Sequence, residues 1–140
     1  MDVQSQFQKL LEAESHSGDC EWYYQIPTSF THSIVDEAFF DYTKVLSPAA
    51  LDLEIRSLIT LDSLRSFMNA LCQRLKSRKD FEAVQAMQIV FLRTHAEVLI
   101  ENEEVRSTME KLLEIQEQES ERVLELIASS LGTLGFVQRT

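Results

Sequence analysis

Glycine and proline are nearly missing from this chain, with three and two in 140 residues. Sandwiches and barrels turn every few residues and spend both types on their turns, so this composition points away from all-β folds and toward helices. Cysteine is as scarce. Cys20 and Cys72 stand outside any CxxC or Cys/His spacing, and read as reduced thiols of an intracellular protein, not as a disulfide framework or a zinc site. No apolar run reaches the roughly 20 residues of a membrane span, and the polar, acidic stretch from Asp2 to Gln8 is unlike a signal peptide. There is no glycine-rich phosphate loop, GxSxG, HExxH or DxDxDG. No catalytic residue, metal ligand or cofactor is therefore expected. The pairs Glu110/Glu114 and Glu117/Glu121 sit one helical turn apart, but no His or Arg converges on them, so they read as solvated faces.

Positive charge is also short. Thirteen Lys and Arg stand against 23 Asp and Glu, a net charge of −10, which disfavours a general nucleic-acid binder. The imbalance is uneven. Residues 1–46 hold eight acids and two bases, 47–100 six acids and seven bases, and 101–140 nine acids and four bases. Only the middle third has a field that tolerates an anion, and its bases Arg74, Lys76, Arg78 and Lys79 form one run. That run has two readings. It compensates the carbonyl dipoles at a helix C-terminus, or it contacts RNA or an acidic partner.

What is present is helical periodicity. Val3, Phe7, Leu10 and Leu11 predict an amphipathic helix over 2–14, stopped by Ser15 to Asp19. Residues 20–32 show no helical period and read as loop or extended chain. Their aromatics Trp22, Tyr23, Tyr24 and Phe30 serve either as a lid over the core or as a partner-contacting patch. Ser33 is placed to cap a helix from Ile34 to Leu46. Ser47-Pro48 restarts the chain, with Ser as the cap and Pro at the first helical position. Thr60 or Asp62 caps the next helix, whose Leu64, Phe67, Met68, Leu71 and Leu75 form the clearest amphipathic stripe. Cys72 beside that stripe reads as a small core residue.

Asp80 is expected to cap a helix from Phe81 to about Ile100, apolar on so many sides that several neighbours should contact it. His95 within it reads as a hydrogen-bonded core residue. Asn102 is expected to cap a last, long acidic helix, with a natural stop at Gly132. The polar segment 116–122 leaves two options there: the helix projects past the core, or it bends and repacks. Phe136 and Val137 form an apolar tail in need of a surface. Together these patterns predict an all-α fold, a single helical-bundle domain of five or six helices with a long C-terminal helix. The expected core includes Leu51, Ile55, Leu58, Leu64, Phe67, Leu71, Leu75, Phe81, Val84, Phe91 and Leu92.

Three pieces are familiar in combination: LSPAALDLEIRSL (46–58), FMNALCQRLKSRKDFEAVQA (67–86) and IVFLRTHAEVL (89–99). Together they resemble the C-terminal helical domain of a WD-repeat UTP-B subunit of the small-subunit processome. That family is the U-three small nucleolar RNA-associated protein twenty-one, known in vertebrates as WD-repeat protein thirty-six. The resemblance implies WD-repeat propellers upstream of this domain and a nucleolar setting in the nucleus. It also implies a part in pre-rRNA processing and small-subunit assembly, with no catalytic site to carry over. The partners it implies are the C-terminal helical domains of other WD-repeat UTP-B subunits. Pre-rRNA or small nucleolar RNA would be reached through the larger complex, with no membrane involved. The stretch 20–32 departs from the family pattern. The expected function is protein–protein assembly, with Trp22, Tyr23, Tyr24, Phe30, Phe136 and Val137 as candidate contacts. The alternatives are an RNA-contacting module built on Arg74, Lys76, Arg78 and Lys79, and an unrelated acidic helical adaptor.

Overall fold

A computed structural model of the chain describes residues 5–16 and 28–138. They form six helices, with no strand among the described residues: α1 (Gln6–His16), α2 (Thr28–Val45), α3 (Pro48–Arg56), α4 (Leu61–Ser77), α5 (Phe81–Glu101) and α6 (Glu103–Gln138). This is the all-α architecture that periodicity and the lack of turn residues require.

The local signals for α3 and α4 act as expected. The Ser47 hydroxyl accepts from the Ala50 N–H at 3.2 Å, with Pro48 at the first position. The Thr60 hydroxyl accepts from the Ser63 N–H at 3.1 Å, so Thr60 and not Asp62 is the cap of α4. Each satisfies a helix-end donor that would otherwise need water.

Four boundary features differ from the sequence reading. Helix α2 begins at Thr28, not at Ile34, so Phe30 lies in a helix and not in a loop. Phe30 and Ile34 are one turn apart, and Thr28 to Ser33 contains no breaker, so the segment extends α2 backward. Asp80 occupies the start of α5 in a left-handed conformation (φ 53°) and makes no side-chain cap; its carboxylate is engaged elsewhere. Asn102 is the sole residue between α5 and α6, and its side-chain amide donates back to the Val98 carbonyl at 2.8 Å. It thus closes the end of α5 and does not cap α6 with its side chain. Finally, α6 runs through Gly132 and Gly135 to Gln138. A glycine stops a helix by turning left-handed, and neither of these two has positive φ.

The helix contacted by most of the core is α4, which packs against α1, α5 and α6; α1 also lies on α2, and α5 on α3 and α6. Buried α4 residues are Leu64, Phe67, Met68, Ala70, Leu71, Cys72, Arg74 and Leu75, a broader face than the predicted stripe. The core also takes Phe7 and Leu11 from α1, Phe39 and Phe40 from α2, Ile55 from α3, Val84, Met87, Phe91 and Leu99 from α5, and Val105, Leu112 and Ile115 from α6. Of the expected core, Leu51, Phe81 and Leu92 are only partly buried. Aromatic rings run through it in series, Phe39 to Phe7 (5.1 Å), Phe7 to Phe67 (5.9 Å), Phe67 to Phe91 (4.9 Å) and Phe91 to His95 (5.1 Å). His95 is a hydrogen-bonded core residue, its Nε2 lying 2.9 Å from the Ile55 carbonyl oxygen near the end of α3.

Helix α5 is less enclosed than its composition predicts. Val84, Met87, Gln88, Phe91, His95 and Leu99 face inward, while Ile89, Val98 and Ile100 stay exposed.

Candidate functional site

Helix α6 changes character along its length. Val105, Leu112 and Ile115 are buried on the core. The polar segment that follows marks where the helix leaves the body. Gln116 and Gln85 exchange hydrogen bonds through their side-chain amides, tying α6 to α5. Glu119 accepts ion pairs from Arg78 (3.6 Å) and Arg122 (3.8 Å). Beyond these contacts the helix continues without a break for more than three turns, its side chains largely exposed. Of the two options open in the sequence, projection is the one observed.

The projecting half is apolar on one side. Leu124, Leu126, Ile127, Leu131 and Leu134 are all exposed, Leu124 by 65%. Leu124, Ile127, Leu131 and Leu134 follow a 3-4-3 spacing, which keeps them on one line of an α-helix. A folded chain rarely leaves such a line uncovered unless something else covers it. Chemically the arrangement offers apolar surface for burial. Among the described residues no group of three His, Cys, Asp or Glu is placed to hold a metal ion, and no helix is long and apolar enough to cross a membrane.

The candidate contact residues fare differently. Trp22, Tyr23 and Tyr24 lie outside the described residues. Phe30 belongs to the first turn of α2, and Phe136 and Val137 to the last turn of α6; their side chains are likewise outside what is described. The basic run is divided: Lys76, Arg78 and Lys79 are exposed and Arg74 is buried. Arg74 is 1% exposed, so the expectation that it contacts RNA is corrected. Its guanidinium lies 4.7 Å from the centre of the Phe40 ring, donates to Asp80 through Nε and Nη2, and reaches Glu37 through Nη1 at 3.3 Å. Lys79 is drawn to the same Glu37 at 2.6 Å. Arg78, at the left-handed end of α4 (φ 60°), turns toward Glu119. Lys76 remains exposed.

These contacts define a charged cluster that joins α2, α4 and the start of α5. Lys44 completes it, with Nζ 3.0 Å from Asp80. Hydrogen bonds from Lys79 and then Arg74 hold the Glu37 carboxyl below its ordinary pKa. Lys44 and then Arg74 do the same for Asp80. A carboxylate whose folded pKa is depressed stabilises the fold at neutral pH, and that contribution is lost as pH falls through the folded value. We expect the melting temperatures of the parent chain and of Asp80→Asn to differ at neutral pH and to converge below about pH 4. A gap that stays constant in melts followed by circular dichroism would contradict the cluster's role. Burial raises the pKa of the Cys72 thiol, as suits a core residue and not a nucleophile.

Sequence reasoning placed the partner contacts at the aromatic stretch, the apolar tail and the wide apolar surface of 81–100, and did not single out the α6 line. The available signal was the 3-4-3 spacing of 124, 127, 131 and 134 directly after an all-polar segment.

Comparison with known proteins supplies the family context. The model of the Utp21 specific WD40 associated domain matches residues 1–138. The chain is 36% identical over 120 residues to the U3 small nucleolar RNA-associated protein 21 homolog of Schizosaccharomyces pombe, a match covering 79% of this chain and 13% of that protein. It is 32% identical over 109 residues to U3 small nucleolar RNA-associated protein 21 of Saccharomyces cerevisiae, covering 69% of this chain and 12% of that relative. The chain thus corresponds to a small part of the length of the relatives it matches.

Proposed function

The chain belongs to the family of the Utp21 specific WD40 associated domain, and on that premise we propose that it is a non-catalytic protein–protein assembly domain of a ribosome-biogenesis factor. The supporting observation is the projecting half of α6, a line of large, exposed apolar side chains on a folded core, with nothing among the described residues packed over it. The relatives are named for their association with U3 small nucleolar RNA. Carried to this chain, that setting is the small-subunit processome in the nucleolus, where pre-rRNA is processed. Residues 1–140 act there as one module. The partners are the C-terminal helical domains of other WD-repeat UTP-B subunits, and RNA is reached through the assembled complex. Burial of apolar helix faces supplies the affinity, and the charged cluster keeps α2, α4 and α5 in register beneath them.

The test is capture of those helical domains by the folded 140-residue chain at low and at high salt. Apolar docking is not screened by salt, so capture is expected to persist. Contact with a phosphate backbone weakens steeply as salt rises. Capture of RNA in place of protein, lost at high salt and abolished by reversing Lys76 and Arg78, would instead assign the domain to RNA. No capture of any UTP-B helical domain at either salt would overturn the assembly reading.

A further inference from the structure

The projecting half of α6 carries more information than exposed apolar area. On a helix of 3.6 residues per turn, one flank of the Leu124, Ile127, Leu131, Leu134 line is formed by Glu114, Glu117, Glu121 and Glu125, and further along by Ala128, Gly132 and Gly135. Among the described residues none of these four glutamates is in an ion pair, in contrast to Glu110 with Arg106 and Glu119 with Arg78 and Arg122. At both glycines there is open space where a Cβ would stand, so a neighbouring helix can approach the backbone there. The flank is therefore acidic where the arm leaves the core and smooth toward its tip.

We propose that this arm is one strand of a two-helix coiled coil, whose other strand is an amphipathic helix of a different protein with a basic edge. The inference rests on the assembly reading and specifies its chemistry. The 3-4-3 line offers the seam positions of a coiled coil, and charge on the edge of the seam selects the partner. Lysines or arginines on the partner would pair with Glu114, Glu117, Glu121 and Glu125. Large aliphatic or aromatic side chains would lie over Ala128, Gly132 and Gly135. A second copy of this chain does not supply that edge. The only Lys and Arg described in α6 are Arg106, Lys111 and Arg122, and two of them are engaged with Glu110 and Glu119. Parallel pairing of two copies sets glutamate beside glutamate, and antiparallel pairing sets it beside an uncharged tip. The tip is also a weak helix in its own right. Two glycines and a threonine lower its intrinsic propensity, and among the described residues no core side chain supports it, so a docked helix would firm it.

The test uses three fluorescent peptides of about 21 residues, three heptads each: leucine seams with lysine edges, leucine seams with glutamate edges, and serine seams with lysine edges. Anisotropy against the 140-residue chain is expected to show the first bound about tenfold more tightly than the second, the gain that a few exposed Glu–Lys pairs supply together. The serine-seam peptide is expected not to bind. Hydrogen exchange along 124–135 should slow on binding of the first. The double variant Ile127→Asp, Leu131→Asp should lose binding with its melting temperature unchanged, since both residues are exposed. The triple variant Glu117→Lys, Glu121→Lys, Glu125→Lys should prefer the glutamate-edged peptide.

Equal binding of the two leucine-seam peptides, or binding of the serine-seam peptide, overturns the proposal. So does a dimer of the chain in sedimentation that the double variant abolishes, because it gives the face to a second copy. The two readings fail separately. If UTP-B helical domains capture the double variant as well as the parent, this inference falls and the assembly function stands. If the peptides discriminate as expected but no such domain is captured, the arm's preference stands and the assembly function falls.

Discussion

Phe67→Ala is expected to lower the free energy of unfolding by about 3–5 kcal/mol, the range for truncating a fully buried aromatic ring. The ring is wholly buried and sits against Phe7 of α1, Phe39 of α2 and Phe91 of α5. Its loss leaves a cavity where four helices meet, and helices joined through large, interlocked rings do not collapse freely into such a hole. Against a total stability of about 5–15 kcal/mol for a domain of ordinary size, this removes a large fraction. Urea denaturation of the parent and of Phe67→Ala is the measurement. Phe67→Leu, which keeps most of the volume, should lose clearly less. Equal losses in the two variants would show that volume at this position is not what holds the helices together.

Arg74→Ala is expected to cost about 3 kcal/mol, most of it from the space vacated by a large buried side chain. Two effects must be weighed. Removing one partner of a buried ion pair is severe when the other charge is left stranded away from water. Here the acids are not stranded: Asp80 is 25% and Glu37 37% exposed, and Lys44 and Lys79 remain beside them. The loss of packing over Phe40 and of the guanidinium hydrogen bonds should dominate. Arg74→Met, which refills the volume without charge, is therefore expected to recover about half of the loss. Arg74→Lys restores charge but not the planar fork that spans Asp80 and Glu37, and should recover less than Met. Chemical denaturation of the three variants ranks them. Lys above Met would mean that charge, not packing, is the main role of Arg74.

Composition hid the role of Arg74. Arg74 lies in a basic run of the sort that reads as a phosphate-binding patch, yet the fold uses it as a core residue. Its neighbours along the helix, Leu71 and Leu75, are on the core face, and Arg74 extends the same face one position sideways. A cation at such a position needs acids from elsewhere. Glu37 comes from α2, 37 residues away, and Asp80 from the start of α5. The assignment of Asp80 as a cap failed for the same reason, since its carboxylate is taken by Arg74 and Lys44.

The sequence by itself determined the helical class, the cap at Ser47, the α4 stripe, the core role of His95 and the resemblance to the family, and it narrowed the α4 cap to Thr60 or Asp62. These follow from interactions within a turn or two of helix: backbone hydrogen bonds, side chains three or four residues apart, and the scarcity of glycine and proline. Tertiary structure alone decided the burial of Arg74, the diversion of Asp80 and Asn102, the passage of α6 through Gly132, and the exposure of Leu124, Ile127, Leu131 and Leu134. Each of these depends on which surfaces meet across tens of residues. An apolar stripe looks the same in sequence whether the protein's own core covers it or leaves it bare. In α6 the core ends at Ile115 and Gln116, and the geometry of the bundle, not the pattern of the helix, leaves Leu124, Ile127, Leu131 and Leu134 exposed.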